Sequence, residues 1–189
     1  MQIRALETNR LLLRPLELAD AEQAQRLFPK WEIVKFLTNR VPWPYPEDEA
    51  FAHYRDNLFP AIARCERWAW SLRLKNAPER LIGSISLMKG ETENRGFWLG
   101  LPWQGQGLMS EAAEAVTDYW FDELGFSVLR VPKAVANIAS RRISEKQGMR
   151  VVAVEERDYV GGRFLTEIWE ITAEEWRARR TNSFPAEVD

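Results

Sequence analysis

The sequence predicts a mixed α/β fold: a central, mostly antiparallel sheet of about seven strands, with one parallel crossover and helices on both faces. Three observations carry this. Phe97–Leu101 is a short apolar run stopped by Pro102; the loop Gln104-Gly105-Gln106-Gly107 follows, and from Leu108 apolar residues recur four apart (Leu108, Ala112, Val116, Trp120). Strand, glycine loop and helix, then a further strand over Val128–Val135, make the parallel crossover. Upstream, Trp68–Lys75, Leu81–Met88 and Phe97–Leu101 are separated by the turn segments Asn76–Glu79 and Lys89–Asn94 and read as a meander. Downstream, Arg150–Glu156 and Phe164–Ile171 flank Gly161-Gly162 as a hairpin.

The remaining elements follow in order. Arg10–Leu16 reads as a first strand, and Asp20 as the cap of a helix ending before Pro29. Trp31–Leu37 predicts another helical turn. Arg40-Val-Pro-Trp-Pro-Tyr-Pro46 predicts a stiff loop that projects Trp43 and Tyr45. A longer helix runs from Glu47 towards Cys65, with Phe51, Tyr54, Leu58 and Ile62 on one stripe and a break at Pro60. Gly125 stops the helix that begins at Leu108. Asn137 starts a helix that ends at Gly148, and Thr172 caps a last one with Glu174 and Glu175 in its first turn. One domain is expected over residues 8–177, with 178–189 as a mobile polar tail.

Composition narrows the function. The chain has 189 residues with net charge −2, so no basic field invites nucleic acid. No apolar run reaches membrane-spanning length, and the single cysteine excludes an internal disulfide framework, so a cytoplasmic protein is expected. Cys65 and the only histidine, His53, show no metal-ligand spacing, and no metal is expected. Cys65 has no neighbouring histidine to activate it as a nucleophile. His53 reads either as a polar helix face or as a lining of an acceptor site.

The stretch Gln104–Met109 is the chemically suggestive one. Glycines let the backbone approach a ligand closely, and the bare amides of a first helical turn suit an anionic phosphate. A plain direction-reversing turn is the competing reading. A Walker loop would need Lys-Ser/Thr where Leu108-Met109 stands. A dinucleotide fingerprint would need a small third residue, which Ser110 only approximates, near the start of the chain.

Three blocks resemble the GNAT acetyltransferase superfamily, in particular its RimJ/RimL branch. They are Arg10-Leu-Leu-Leu-Arg-Pro with Asp20; Trp98–Ala113, including Gly-x-Gly-Leu-Met-Ser-Glu-Ala; and Asn137-Ile-Ala-Ser140 followed by Glu145-Lys-Gln-Gly-Met149. The resemblance implies the GNAT fold and an N-acetyltransferase that moves an acetyl group from acetyl-CoA to a primary amine. The acceptor would be a small molecule or a peptide N-terminus, attacking directly in a ternary complex. An acyl-CoA-binding module without turnover is the alternative, and a homodimer formed through the tryptophan-rich surface is compatible with either.

Roles follow from that resemblance. Gln104, Gly105, Gln106, Gly107, Leu108 and Met109 would hold the diphosphate, with a bulge at Gly100 and pairing of the pantetheine arm along Leu99–Leu101. The Leu101 amide would meet the acetyl oxygen. Asn137 and Ser140 would touch the cofactor, although Asn137 also reads as a plain N-cap. Six basic residues between 130 and 150 (Arg130, Lys133, Arg141, Arg142, Lys146, Arg150) face one acid, Glu145, and would neutralise the adenosine phosphate, Lys146 among them; a solvated helix face is the alternative. Glu93 (with Glu91) and Glu111 are candidate proton acceptors. Asn94 occupies the position where the base would first be sought. Ser144 stands where many relatives carry an acidic tyrosine. Trp31, Trp43, Tyr45 and the 158–163 turn would line the acceptor side.

Overall fold

The computed structural model describes residues 3–182, with side chains as far as Arg179. Five strands form the first sheet: β1 (Leu6–Glu7), β2 (Leu11–Pro15), β3 (Arg67–Leu74), β4 (Ala77–Met88) and β5 (Arg95–Leu99), adjacent in chain order and all antiparallel. Alternation explains why they hold together. Leu11 and Leu13, Trp68, Trp70 and Leu72, and Ile85 and Leu87 point to one buried cluster, while Leu16, Ala69 and Leu81 point to a second on the opposite face. β3 is therefore covered on both sides.

The second cluster is closed by α1 (Asp20–Leu27) through Ala21 and Ala24, and by the segment following α2 (Trp31–Val34). That segment comprises α3 (Glu49–His53), one wide π-turn over Tyr54–Leu58 and α4 (Phe59–Ala63). The helix does not break at Pro60. The π-turn precedes it, and Pro60 falls in the first turn of α4, where a missing N–H costs little. Asp20 is the first helical residue rather than the cap. Its Oδ2 accepts from the Glu17 amide at 3.0 Å, and its Oδ1 pairs with the buried guanidinium of Arg73. This ion pair fastens α1 to β3.

The first cluster is closed by α5 (Leu108–Asp118), whose Leu108, Ala112, Val116 and the following Trp120 pack inward as the four-residue period requires. Trp120 stacks on Phe126 with centroids 4.0 Å apart, beyond the stop at Gly125, whose φ is +72°. Three further strands form a separate antiparallel sheet in the order β6 (Val128–Ala134), β8 (Gly162–Thr172), β7 (Arg150–Tyr159), with α6 (Ile138–Lys146) between β6 and β7. The last helix, α7 (Ala173–Asn182), opens on a reciprocal cap: the Glu175 amide donates to Thr172 Oγ1 at 3.2 Å, and Glu175 Oε2 accepts from the Thr172 amide at 2.8 Å. Residues 178–182 are thus helical, and the rest of the expected tail lies outside the described residues.

The class is as expected, but the sheet is not one piece. Among the described residues, eight strands fall into sheets of five and three. β5 and β6 run side by side in the same direction, joined by α5, and their backbones meet at one point: the Asn94 amide donates to the Arg130 carbonyl at 2.8 Å. Asn94 Oδ1 accepts from the Arg130 amide at 2.8 Å, and Asn94 Nδ2 donates to the Gly90 carbonyl at 2.7 Å. Among the described residues no ladder continues beyond this joint. No helix of the described residues is long and apolar enough to cross a membrane.

The Asp20–Arg73 pair is buried, so removing one partner strands the other charge. Asp20→Ala should lower unfolding free energy by about 3–5 kcal/mol, read as a fall in urea midpoint at unchanged slope; a loss under 1 kcal/mol would show that the pair is not what holds α1 down.

Candidate functional site

The loop after β5 is built to present amides. A 3₁₀ turn over Leu101–Trp103 leads into Gly105 and Gly107, which both adopt left-handed backbone, with φ of +73° and +77°. The first backbone bond into α5 comes from the Glu111 amide to the Gly107 carbonyl. Ahead of it, the amides of Gly105, Gln106, Gly107, Leu108, Met109 and Ser110 have no acceptor among the described residues. Leu108 and Met109 contribute amides only, because their side chains are core. Gln104 and Gln106 are exposed, but their Nε2 groups donate to the Leu99 and Pro102 carbonyls at 2.8 and 2.9 Å and fix the loop.

A brace from the other end of the chain sets the loop's position, and its sequence signal was Arg10 beside the first strand. Arg10 Nη1 donates to the Gln106 carbonyl at 2.9 Å and Arg10 Nε to Glu111 Oε2 at 2.7 Å. Glu111 Oε1 accepts from the Arg10 amide at 2.7 Å and from the Thr8 hydroxyl. Burial opposes ionisation of Glu111, but these hydrogen bonds and the Arg10 charge outweigh it and leave the carboxyl below its ordinary range. Such a group is a strut and a weak base.

The edge of β5 that faces β6 is open. Met88 donates to the Asn94 carbonyl and Gly100 to the Ile82 carbonyl, so residues 94 to 100 point their polar backbone groups alternately to β4 and away. Arg95, Phe97 and Leu99 are the ones that face the gap. The Leu99 carbonyl is taken by Gln104, while the Phe97 and Leu99 amides are directed at the opening. No bulge occurs at Gly100. A side chain there would put its Cβ 2.7 Å from the Trp103 ring, so glycine is required by close packing.

Beneath α5 and α6 lies a buried polar cluster that periodicity does not reveal. Arg95 Nη1 donates to Thr117 Oγ1 at 2.8 Å, and Gln147 Nε2 reaches the same hydroxyl at 3.3 Å. Arg95 Nε and Nη2, Gln147 Oε1 and Ser144 Oγ have no protein partner. Burial lowers the Arg95 pKa to about 10. Ser144 is wholly enclosed. At the start of α6, Asn137 Oδ1 caps the Ser140 amide at 3.2 Å, and Ser140 Oγ accepts from Lys133 Nζ at 2.7 Å.

The six basic residues expected to meet a phosphate separate. Arg130 and Arg150 pair with Glu170, and Arg141 forks onto Glu167. Lys133 is buried. Arg142 and Lys146 remain exposed on α6, and the Lys146 carbonyl is held by Arg179 at 3.1 Å.

On the other face, α2 and its following loop dock on the β7–β8 turn: the Gly161 and Val160 amides donate to the Lys35 and Leu37 carbonyls, each at 2.9 Å. Trp31 and Trp43 are exposed with rings 5.6 Å apart, whereas Tyr45 packs edge-on against Phe28, which in turn meets Trp98 of β5. The three aromatics therefore split into a solvent-facing pair and a wall behind β5. Glu93 is bound by Arg40 at 3.1 Å and Arg157 at 3.0 Å, and Asn94 beside it is the structural joint. His53 lies towards Arg67; burial, then the charge of Arg67, lowers its pKa. Cys65 forms no disulfide among the described residues, is partly exposed and has a φ of +55°.

If Glu111 is a strut, its contribution depends on pH with a definite sign. Its folded pKa is depressed, so the stabilisation is present above the ordinary glutamate range and is lost as pH falls through the folded value. Glu111→Gln should remove that acid-side loss, measured as urea midpoint against pH; identical profiles for both proteins would exclude the brace.

The comparisons with known proteins follow the same geometry. A family model described as an acetyltransferase (GNAT) domain matches residues 10–150. "Uncharacterized N-acetyltransferase YnaD" of Bacillus subtilis (strain 168) is 29% identical over 154 residues, 77% of this chain and 82% of that protein. "Probable N-acetyltransferase YjcK" of the same organism is 30% identical over 153 residues, 76% of this chain and 82% of the relative. Among solved structures, RimL, a ribosomal L7/L12 alpha-N-protein acetyltransferase in complex with coenzyme A, superposes with TM-score 0.76 at 17% identity, covering 89% of this chain and 97% of that one. The GNAT model covers residues 10–150, well over half of a chain that carries this amide-lined loop and parted strand: the protein belongs to the GNAT acetyltransferase family.

Proposed function

We propose that the protein transfers an acetyl group from acetyl-CoA to a primary amine by direct attack in a ternary complex. The observation that carries this is the run of six unpartnered amides, Gly105 to Ser110, opening onto the gap beside β5. A diphosphate satisfies such a row of donors and gains from the dipole of α5. The Arg10 brace holds the row in place before any ligand arrives, so little ordering entropy remains to be lost on binding.

The pantetheine arm carries two amides and pairs with an open strand edge as an added strand would. The Phe97 and Leu99 amides face that space, so they are better placed than the Leu101 amide, in the next turn, to donate to the acetyl oxygen as it gains charge. In this reading Asn137 Nδ2 and the first amides of α6 would meet the cofactor from the β6 side. The acceptor enters from the face carrying Trp31 and Trp43, whose exposed paired rings suit an apolar group next to the amine. A peptide N-terminus and a small amine both satisfy this chemistry.

The second reading, a binding module without turnover, draws on one observation: Glu93 and Glu111, the carboxylates expected to take the amine's proton, are both engaged by arginines. Thiol release from acetyl-CoA over a panel of arylalkylamines and short peptides with free N-termini separates the two, and release no faster than hydrolysis across the panel favours the module. Gly105→Asp tests the cradle itself. Its Cβ would meet no atom within 4 Å and aspartate adopts left-handed backbone more readily than most residues. The substitution therefore adds local strain but no clash while a negative charge enters the amide row, and a melting temperature near wild type shows that the fold is kept. Acetyl-CoA affinity by calorimetry should fall at least about 10-fold, roughly 1.4 kcal/mol; unchanged affinity would remove the diphosphate from this loop.

A further inference from the structure

Lys133 is the group for which the fold gives no structural reason. It lies on β6 with 5% of its surface exposed, beneath α6. Its Nζ donates to Ser140 Oγ at 2.7 Å and sits 4.7 Å from the centroid of Phe97, the residue whose backbone faces the gap between β5 and β6. A lysine buried to this extent is ordinarily paired with a carboxylate.

Charged groups on the surrounding elements do not supply one. From β5 comes Arg95, a second buried cation. From β8 comes Glu167, the cross-strand partner of Lys133, but its oxygens are taken by Arg141 at 2.8 and 3.1 Å and by Trp169 Nε1 at 3.0 Å. From α5, Glu114 is turned to Arg179 at 2.9 Å. From α6 come only the hydroxyls of Ser140 and the enclosed Ser144. Burial first, and Arg95 second, push the lysine well below its ordinary pKa. The charged form of this amine is thus disfavoured where it stands, beside the strand edge that the proposed thioester would occupy.

We propose that Lys133, acting with Ser140, is the proton carrier of acetyl transfer. The inference rests on the acetyl-CoA reading above and names the group that moves its proton. The acceptor enters as the neutral amine, its ammonium proton already lost to solvent. As its nitrogen bonds to the acetyl carbon it must shed one more proton, and as the carbon–sulfur bond breaks, the electron pair leaves on sulfur, which must gain one. Lys133 Nζ takes the first proton on its lone pair and becomes an ammonium. It returns a proton to the sulfur, directly or through the Ser140 hydroxyl, and is neutral again. Charge and protons balance with no further reactant, and neither Glu93 nor Glu111 needs to leave its arginine. Ser144, enclosed and further along α6, is not required as the acid.

Lys133→Met keeps the length and apolar stem and removes the amine; Lys133→Arg keeps a cation that cannot give up its proton. With the fastest amine of the panel, both should lower kcat about 100-fold or more, leave the acetyl-CoA KM near wild type and abolish the limb of the pH–rate profile that wild type owes to Lys133. The melting temperature of Lys133→Met should equal or exceed wild type, because a buried amine without a carboxylate is removed; a structural lysine would give the opposite sign.

A readout independent of the acceptor uses coenzyme A alone. In the binary complex the thiol and Lys133 compete for a proton, so bound thiol should ionise at lower pH than free coenzyme A, followed by thiolate ultraviolet absorbance, and Lys133→Met should cancel the shift. Equal titrations of wild type and variant, unchanged kcat, or an acetyl mass increment on Lys133 itself after incubation with acetyl-CoA would each overturn the proton-carrier role. Failure of wild type to bind coenzyme A at all would instead overturn the acetyl-CoA reading on which it rests.

Discussion

The molecule depends on one joint, the pairing of Asn94 with Arg130. One backbone bond and one bond from the Arg130 amide to the Asn94 side chain, each at 2.8 Å, hold β5 to β6 at this point, and the same side chain donates to Gly90. Because Asn94 spends its side chain on the neighbouring backbone, the two sheets are tied where β5 begins and free to part beyond it. The parting creates a strand edge that no protein strand fills, bounded by α5 on one side and α6 on the other. An ordinary parallel ladder continued to Leu99 would have sealed that edge.

The same joint explains where the proton chemistry is found. The position nearest to a conventional base is the one residue the fold cannot release from its structural work. Glu93 beside it closes a surface network with Arg40 and Arg157, and Glu111 holds the first strand to the glycine loop. What remains beneath α5 and α6 is an interior that is cationic and hydroxylic: Arg95, Lys133, Thr117, Ser140 and Ser144, with orphaned polar atoms on Arg95, Gln147 and Ser144. Unpaired buried polar groups are costly unless a ligand or water meets them, and their gathering at one site is what a functional cavity requires.

Local pattern was enough for most of the frame. The four-residue period from Leu108, the alternation of β3 and β4 and the glycines at 125, 148 and 162 each report a preference that acts within a few residues, and the elements appear there. β4, however, starts at Ala77, inside the stretch read as a turn, and the helix from Leu108 passes after Asp118 into a π-turn over Tyr119–Glu123. The glycine loop was legible for the same reason, since left-handed backbone at Gly105 and Gly107 is a local demand. Side-chain work across distance was not. Arg10 and Glu111 are 101 positions apart, and Asn94 and Arg130 are 36. Neither composition nor periodicity marks Lys133 as different from Arg130 or Arg150. Only the fold shows that two of these find carboxylates and one does not. The expected single sheet failed at the same place, because strand propensity says that β5 and β6 exist but not that an asparagine will join them at one end only.

A crystal structure with acetyl-CoA tests the account most directly. The diphosphate oxygens should accept hydrogen bonds from amides within Gly105–Ser110, with the pantetheine arm along the Phe97–Leu99 edge and the sulfur beside Lys133. A nucleotide bound elsewhere, for instance in the cavity of about 340 Å³ lined by Trp120, Phe126 and Arg130 at the far end of β5, would contradict it.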